Sequence, residues 1–214
     1  MHFNDIPDDI LALVFRAVLS AIKYQPADMK SGLGLLSVCR RWREIALPMV
    51  YDTVVIKCGT EDTDGPETVD IETTLNLVVD AKCLHMVRKV VIDVCYWTTP
   101  FQGLKAATER MRGAAGECAG VRKLELSLNA SSSGQRELNL PATDYEDEIA
   151  SVSSALAALM PELREIKFGD FKQTPIVRVL CGQLVGFYAD QLQVLHVSNS
   201  VIVPQDRVFA RLRY

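Results

Sequence analysis

VRKLEL, residues 121–126, has the form apolar-x-x-apolar-x-apolar, and the same form returns as VRKVVI at 87–92, LREIKF at 163–168 and LQVLHV at 192–197. YDTVVI at 51–56 and FARLRY at 209–214 fit it as well. In each copy the last two apolar positions alternate around a single spacer, as a half-buried strand requires. The spacer is Glu125, Lys167 or His196 in three copies, side chains suited to a solvent face. Such recurrence predicts a chain built from similar strands laid down one after another.

Between these strands lie helix candidates at Val69–Leu84, Leu104–Cys118, Asp147–Met160 and Ile176–Gln191. Ile149, Val152, Leu156 and Leu159 recur at helical spacing, and Asp144, Glu146, Asp147 and Glu148 sit where the positive end of a helix dipole favours acids. The strand–helix units start at 51, 87, 121, 163 and 192. That irregular step lies in the range where solenoids occur, although an ordinary α/β domain would show the same alternation.

The pattern resembles the divergent leucine-rich repeats of fungal and plant proteins. Asn129 falls eight residues after Val121, where that repeat family places an asparagine to satisfy backbone groups of a turn. The resemblance implies an α/β fold in which parallel strands line a concave face and helices cover the convex one. Outward positions on the strand face would include Arg88/Val91, Glu125, Lys167 and His196. The last copy begins only at 209, and a solenoid ending on Leu212 and Tyr214 would leave an open edge. The expectation is an irregular solenoid truncated at its C-terminus, the N-terminal part of a longer protein.

The first fifty residues follow a different rule. In DIPDDILALVFRAVL, residues 5–19, Ile6, Ile10, Val14 and Val18 recur every four residues, with Leu11, Phe15, Leu19 and Ile22 alongside. That is a helix with a wide apolar stripe, starting near Pro7 with Asp8 and Asp9 in its first turn. In LLSVCRRWREIALPMVY, residues 35–51, Leu35, Val38, Trp42, Ile45 and Met49 alternate by three and four, beside Leu36, Cys39 and Ala46. Pro48 marks the expected C-terminal limit, and Arg40, Arg41 and Arg43 form a basic rim. The two segments predict an antiparallel helical hairpin too small to bury both stripes, so its surplus apolar surface calls for the rest of the chain or a partner.

In order, Ile6-Pro7-x-Asp9, Ile10, Val14-Phe15, Leu19, Leu35-x-x-Val38-Cys39-x-x-Trp42 and Pro48 resemble an F-box, across about the first quarter of the chain. Residues 20–34 make a longer connection than that motif usually has. The resemblance implies residues 1–50 as an F-box-like helical module and 51–214 as an irregular leucine-rich-repeat-like domain. It implies docking to a Skp-type adaptor, and through it to a cullin scaffold, while the repeats hold a protein substrate for ubiquitin transfer. The implied adaptor-binding residues are Ile6, Pro7, Ile10, Leu11, Val14, Phe15, Leu35, Val38, Cys39 and Trp42, with Cys39 a small core filler. A repeat-based interaction scaffold that never joins a ligase is the alternative.

Composition agrees with an interaction protein. Across 214 residues, 49% hydrophobic content supplies an ample core, and 27 acids against 23 bases give no general drive toward nucleic acid. No apolar run is long enough to span a membrane, and the acidic N-terminus is unlike a secretory signal. Six scattered cysteines without a Cys-x-x-Cys pair favour buried thiols in a reducing compartment, cytoplasmic or nuclear. No phosphate loop, nucleophile elbow or His-Glu-x-x-His stands in the chain, and only His2, His85 and His196 are available for acid–base work. A hydrolase or transferase reading finds no nucleophile–base pair. Cys83 and His85 lack two further nearby ligands for a metal, so no cofactor or metal is expected. The acid-rich run 60–72 and the small polar run 129–137 read as solvated loops.

Overall fold

Strands form where the repeated motif places them. The computed structural model describes residues 6–21, 33–60, 69–96, 100–113, 118–130, 145–169 and 175–197. In chain order the elements are α1 (Asp8–Ala21), α2 (described over 33–38), α3 (Arg40–Val50), β1 (Thr53–Thr60), β2 (Val69–Thr73), α4 (Leu75–Asp80), β3 (Lys89–Tyr96), α5 (Pro100–Arg112), β4 (Lys123–Ala130), α6 (Glu146–Leu159), β5 (Glu165–Phe168), α7 (Pro175–Phe187) and β6 (Val194–Val197). Five copies of the motif each supply one strand, and the sixth, 209–214, lies outside the described residues.

The fold is mixed α/β. β1, β3, β4, β5 and β6 run parallel and lie side by side in chain order, with β2 antiparallel on the outer side of β1. Sequential parallel strands joined by right-handed crossovers place their helices on one face of the sheet. Burial follows that rule: Val90, Ile92 and Val94 in β3, Leu124, Leu126 and Leu128 in β4, and Ile166 and Phe168 in β5 are buried, and the residues between them are only partly covered. The buried rows share one core with Leu104, Ala107 and Met111 of α5, Ile149, Val152 and Leu156 of α6, and Leu180, Cys181 and Leu184 of α7.

The first apolar residue of the motif, two residues ahead of each strand, is buried in every described copy: Tyr51, Val87, Val121, Leu163 and Leu192. The next residue carries the junction between copies. The carbonyl of Asp52 accepts from the N–H groups of Arg88 and Lys89, that of Arg88 from Arg122 and Lys123, that of Arg122 from Arg164 and Glu165, and that of Arg164 from Gln193 and Val194, all at 2.7–3.1 Å. One arrangement is thus repeated four times, and it sets the register of each strand on the last.

Three helix expectations and one turn expectation change. The segment read as a helix over Val69–Leu84 contains β2, then α4, then a 3-10 turn at Leu84–Met86. Thr73 and Thr74 cause the break: their hydroxyls bond the carbonyl and N–H of Val55, and Thr73 Oγ1 also accepts from Leu75 N. Side chains that bind backbone in this way end a strand and open a helix. α5 starts four residues before the expected Leu104, and Cys118 stands in a separate 3-10 turn. Asn129 lies within β4, paired with Cys95, and not in a turn. α3 runs through Pro48 to Val50, because a proline in the last turn removes one hydrogen bond whose acceptor, on Glu44, lies on the exposed side.

The N-terminal helices also differ from a two-helix antiparallel hairpin. Cys39 is extended, with φ −159° and ψ 169°, and divides the second segment into α2 and α3. Arg41, at the start of α3, pairs with Asp8, at the start of α1, at 2.6 Å. An antiparallel pair would put those ends about 20 Å apart, the length of α1, which is beyond the reach of an arginine.

Gly103 lets α5 lie close on the sheet: a Cβ there would stand 2.7 Å from Val94 Cγ1 and 3.2 Å from Cys58 Cβ. Gly103→Val is expected to destabilise the chain by about 1–3 kcal/mol through overpacking, read as a lower denaturant midpoint. An unchanged midpoint would mean that α5 does not rest on β1 and β3 in this way.

Candidate functional site

Two surfaces stand out once the fold is known: the outer side of α1 and α2, and the face of the sheet that the helices leave open. The first is apolar. α1 carries two apolar strips and buries only one. Leu11 and Phe15 pack with Ala46 of α3 into a small core of their own, flanked by Ile6, Leu35, Leu36, Trp42, Ile45 and Met49. Phe15 and Trp42 meet edge to face with ring centroids 4.8 Å apart, a geometry favoured by the ring quadrupoles. Leu19, Leu33, Leu36 and Leu47 lean on the larger core, so the helices are seated against the sheet domain.

The other strip of α1 is open. Ile10 is 45% exposed, Leu13 59%, Val14 50%, Val18 44%, and Val38 at the end of α2 58%. Among the described residues only Val79 and Phe187 are large apolar side chains of comparable exposure elsewhere. Single exposed apolar side chains are ordinary on a protein surface; a concentration of them is not.

The ten residues expected to dock an adaptor therefore divide. Pro7, Ile10, Val14, Val38 and Cys39 are exposed, Ile6, Leu35 and Trp42 are half-buried, and Leu11 and Phe15 are buried within the helices. Cys39 is not a core filler: its Sγ accepts from Trp42 N at 3.5 Å and caps α3. Leu13 was not among the ten, because it falls off the every-fourth-residue stripe counted from Ile6. Its spacing of three from Ile10 is the signal that would have found it.

Two of the three arginines of the basic rim hold the helices together. Arg41 bonds the carboxylate of Asp8 and the carbonyl of Ile6, Arg43 donates to the carbonyl of Leu36 at 2.8 Å, and Arg40 pairs with Glu44 one turn on at 2.8 Å. Arg41 in particular ties the start of α1 to the start of α3, a role its sequence position did not reveal.

On the open face of the sheet the register brings Val91, Glu125, Lys167 and His196 into one row, as the motif spacing anticipates. Arg88 precedes β3 and lies outside that row. Glu125 is the hub: Lys89 reaches it from β3 at 2.7 Å and Lys167 from β5 at 2.6 Å. Beside it Lys123 pairs with Glu165, which His196 Nε2 approaches at 3.5 Å. Burial works against ionisation of Glu125, but hydrogen bonds from Lys167 and Lys89 outweigh it and hold the carboxyl below the usual range.

No disulfide joins the six cysteines; Cys58, Cys83, Cys118 and Cys181 are buried, and Cys39 and Cys95 exposed. The Sγ of Cys83 donates to the carbonyl of Ala81 at 3.2 Å. Among the described residues no group of three or more His, Cys, Asp or Glu is placed to hold a metal ion, and no helix is long and apolar enough to cross a membrane. Comparison with protein-family models, with curated proteins and with solved structures found no match.

A carboxylate whose folded pKa is depressed contributes stability above its unfolded pKa, and that contribution is lost as pH falls through the folded value. Glu125→Gln is expected to cost about 1–2 kcal/mol at neutral pH by leaving two lysines without their carboxylate. The gap between wild type and variant should close as the medium is acidified below the ordinary glutamate range, followed by thermal unfolding at a series of pH values. A gap independent of pH would rule out the ion pairs as its source.

Proposed function

We propose that this chain is the substrate-recognition subunit of a Skp–cullin–F-box type ubiquitin ligase, with α1–α3 docking the adaptor and an irregular leucine-rich-repeat-like sheet domain holding the target. The observation that carries this reading is the open apolar strip of α1, together with Val38, lying within the ordered motif that resembles an F-box. A helix that buries one strip and exposes another supplies what a partner helix needs, a row of apolar anchors with no internal claim on them.

In this reading the anchors fall into two kinds. Ile10, Leu13, Val14 and Val38 meet the adaptor directly. Leu11, Phe15 and Trp42 pack on one another and shape that surface from within. The chain performs no chemistry; it brings a target and a ligase together, and transfer belongs to other subunits. The ladder-like register from β1 to β6, and the repeated burial of the residue two before each strand, support the repeat reading of residues 51–197.

Co-purification with a Skp-type adaptor tests the assignment. Wild type is expected to retain the adaptor, and Val14→Glu/Val38→Glu to lose it, since each buried anchor at an interface centre is worth about 2 kcal/mol or more. Both side chains are exposed in the chain alone, so the variant should keep the wild-type circular dichroism spectrum and midpoint. Trp42 is a poor choice for the purpose, because charging it would break its packing on Phe15. Failure of the wild type to bind would favour a repeat-based scaffold outside any ligase, and full binding by the variant would remove α1 and α2 from the interface.

A further inference from the structure

The second position of the repeated motif is Asp52, Arg88, Arg122, Arg164 and Gln193 in successive copies. Its backbone is the carbonyl ladder that joins one copy to the next, so these residues stack one strand spacing apart, about 4.8 Å. Three arginines thus stand in a row at the starts of β3, β4 and β5, and all three are exposed. Among the described residues the one carboxylate within ion-pair distance of any of them is that of Glu162, 3.9 Å from Arg122. At the end of the row, burial pushes the Asp52 carboxyl up against the pull of Arg88, Lys89 and Arg16.

The lysines one residue further along are treated differently. Lys89 pairs with Glu125 and Lys123 with Glu165. The fold thus neutralises its open sheet face and leaves the neighbouring arginine row in excess. Like charges at this spacing repel, and only solvent screening or an anion relieves the repulsion.

The row borders two open clefts. One, of about 560 Å³, is formed by the strand starts and lined by all three arginines with Lys89, Lys123, Asp52 and Glu165, the last already paired with Lys123. The other, of about 760 Å³, adds Lys82 and His85 to Arg88 and Arg122, with Glu162 its one carboxylate. Arg88 is fixed between them: its Nη1 donates to the carbonyls of His85 at 2.8 Å and Val87 at 3.1 Å, and rests over Gly120, where a Cβ would stand only 2.6 Å away. Tied in this way, Arg88 is not free to converge with Arg122 and Arg164 on a single compact dianion. Separate, evenly spaced charges fit single carboxylates spread along an extended chain. The backbone distance from the first arginine to the third is about 10 Å, the reach of three extended residues.

We propose that an acidic peptide segment of a partner protein binds across the strand starts, its Asp and Glu carboxylates each meeting one arginine of the row Arg88, Arg122 and Arg164. Guanidinium forks are well matched to carboxylates, and their exposure makes such binding dependent on ionic strength. The two clefts share no lining residue with the open strip of α1, and binding to them is read on the chain alone, so failure here leaves the adaptor reading as it stands.

Fluorescence anisotropy of a short labelled peptide alternating Asp and Glu, titrated with the full chain at low salt, supplies the test. Binding is expected to weaken on adding salt, and to fall at least about tenfold for the Asn/Gln version of the peptide and for Arg122→Glu/Arg164→Glu. Arg122→Lys/Arg164→Lys should keep a measurable part of the affinity, which separates lost charge from lost fold, and circular dichroism should match wild type in both variants. The proposal is overturned if wild type does not bind the acidic peptide, or if charge reversal leaves binding unchanged. It is overturned equally if a phosphoserine peptide or a single-stranded oligonucleotide binds and the carboxylate peptide does not.

Discussion

The pairing of two successive N–H groups with one carbonyl of the preceding copy is the constraint on which the sheet domain rests. Asp52, Arg88, Arg122 and Arg164 each offer that carbonyl, and Arg88, Arg122, Arg164 and Gln193 receive it at the same offset in the motif. Because strand side chains alternate with a period of two, a slip of one residue at any junction would drive Lys89, Glu125 or Lys167 into the core and expel Val90, Leu124 or Ile166. The hydrophobic pattern and the hydrogen bonds therefore enforce the same register. With register set, the helices have one apolar face to cover, and α5, α6 and α7 cover it in turn.

The N-terminal helices obey a different economy. α1 is apolar on more of its circumference than α3 can bury, and the small core of Leu11, Phe15 and Ala46 takes one strip and leaves the other to solvent. The extended residue at Cys39 lets α2 and α3 change direction, and Arg41 and Arg43 secure the result by bonding Asp8, Ile6 and Leu36. Arginines that read as a basic rim in the sequence thus act as internal clasps, and the exposed chemistry of this end is apolar. At the strand starts the reverse holds, and the exposed chemistry is cationic. The two surfaces thus differ in kind, one apolar and the other charged.

Much of the fold was legible. The motif placed five strands within two residues of their starts, and the row Val91, Glu125, Lys167 and His196 followed from its spacing alone. The Ile149–Leu159 periodicity placed α6 to within a residue at each end. What misled was local competition. Thr73 and Thr74 bind Val55, eighteen and nineteen residues back in the chain, and that distant bond turned part of a helical pattern into β2. Cys39 broke a continuous helical stripe for a comparable reason, since its thiol caps the helix that follows. At the candidate site the spacing identified which residues are apolar but not which of them face out, so Leu11 and Phe15 were grouped with Ile10 and Val14 although burial separates them.

By itself the sequence determined the period, and with it the parallel strand–helix alternation, because alternation of apolar and polar residues is a property of neighbours along the chain. It also determined that the first fifty residues carry more apolar surface than two short helices can hide. Only the tertiary structure decided which strip of α1 is hidden, that α3 lies with its start against the start of α1, and that Arg88, Arg122 and Arg164 stand together in one row. Those outcomes depend on pairings between residues distant in the chain, such as Arg41 and Asp8, 33 positions apart, and no local pattern encodes the partner of a side chain at that distance.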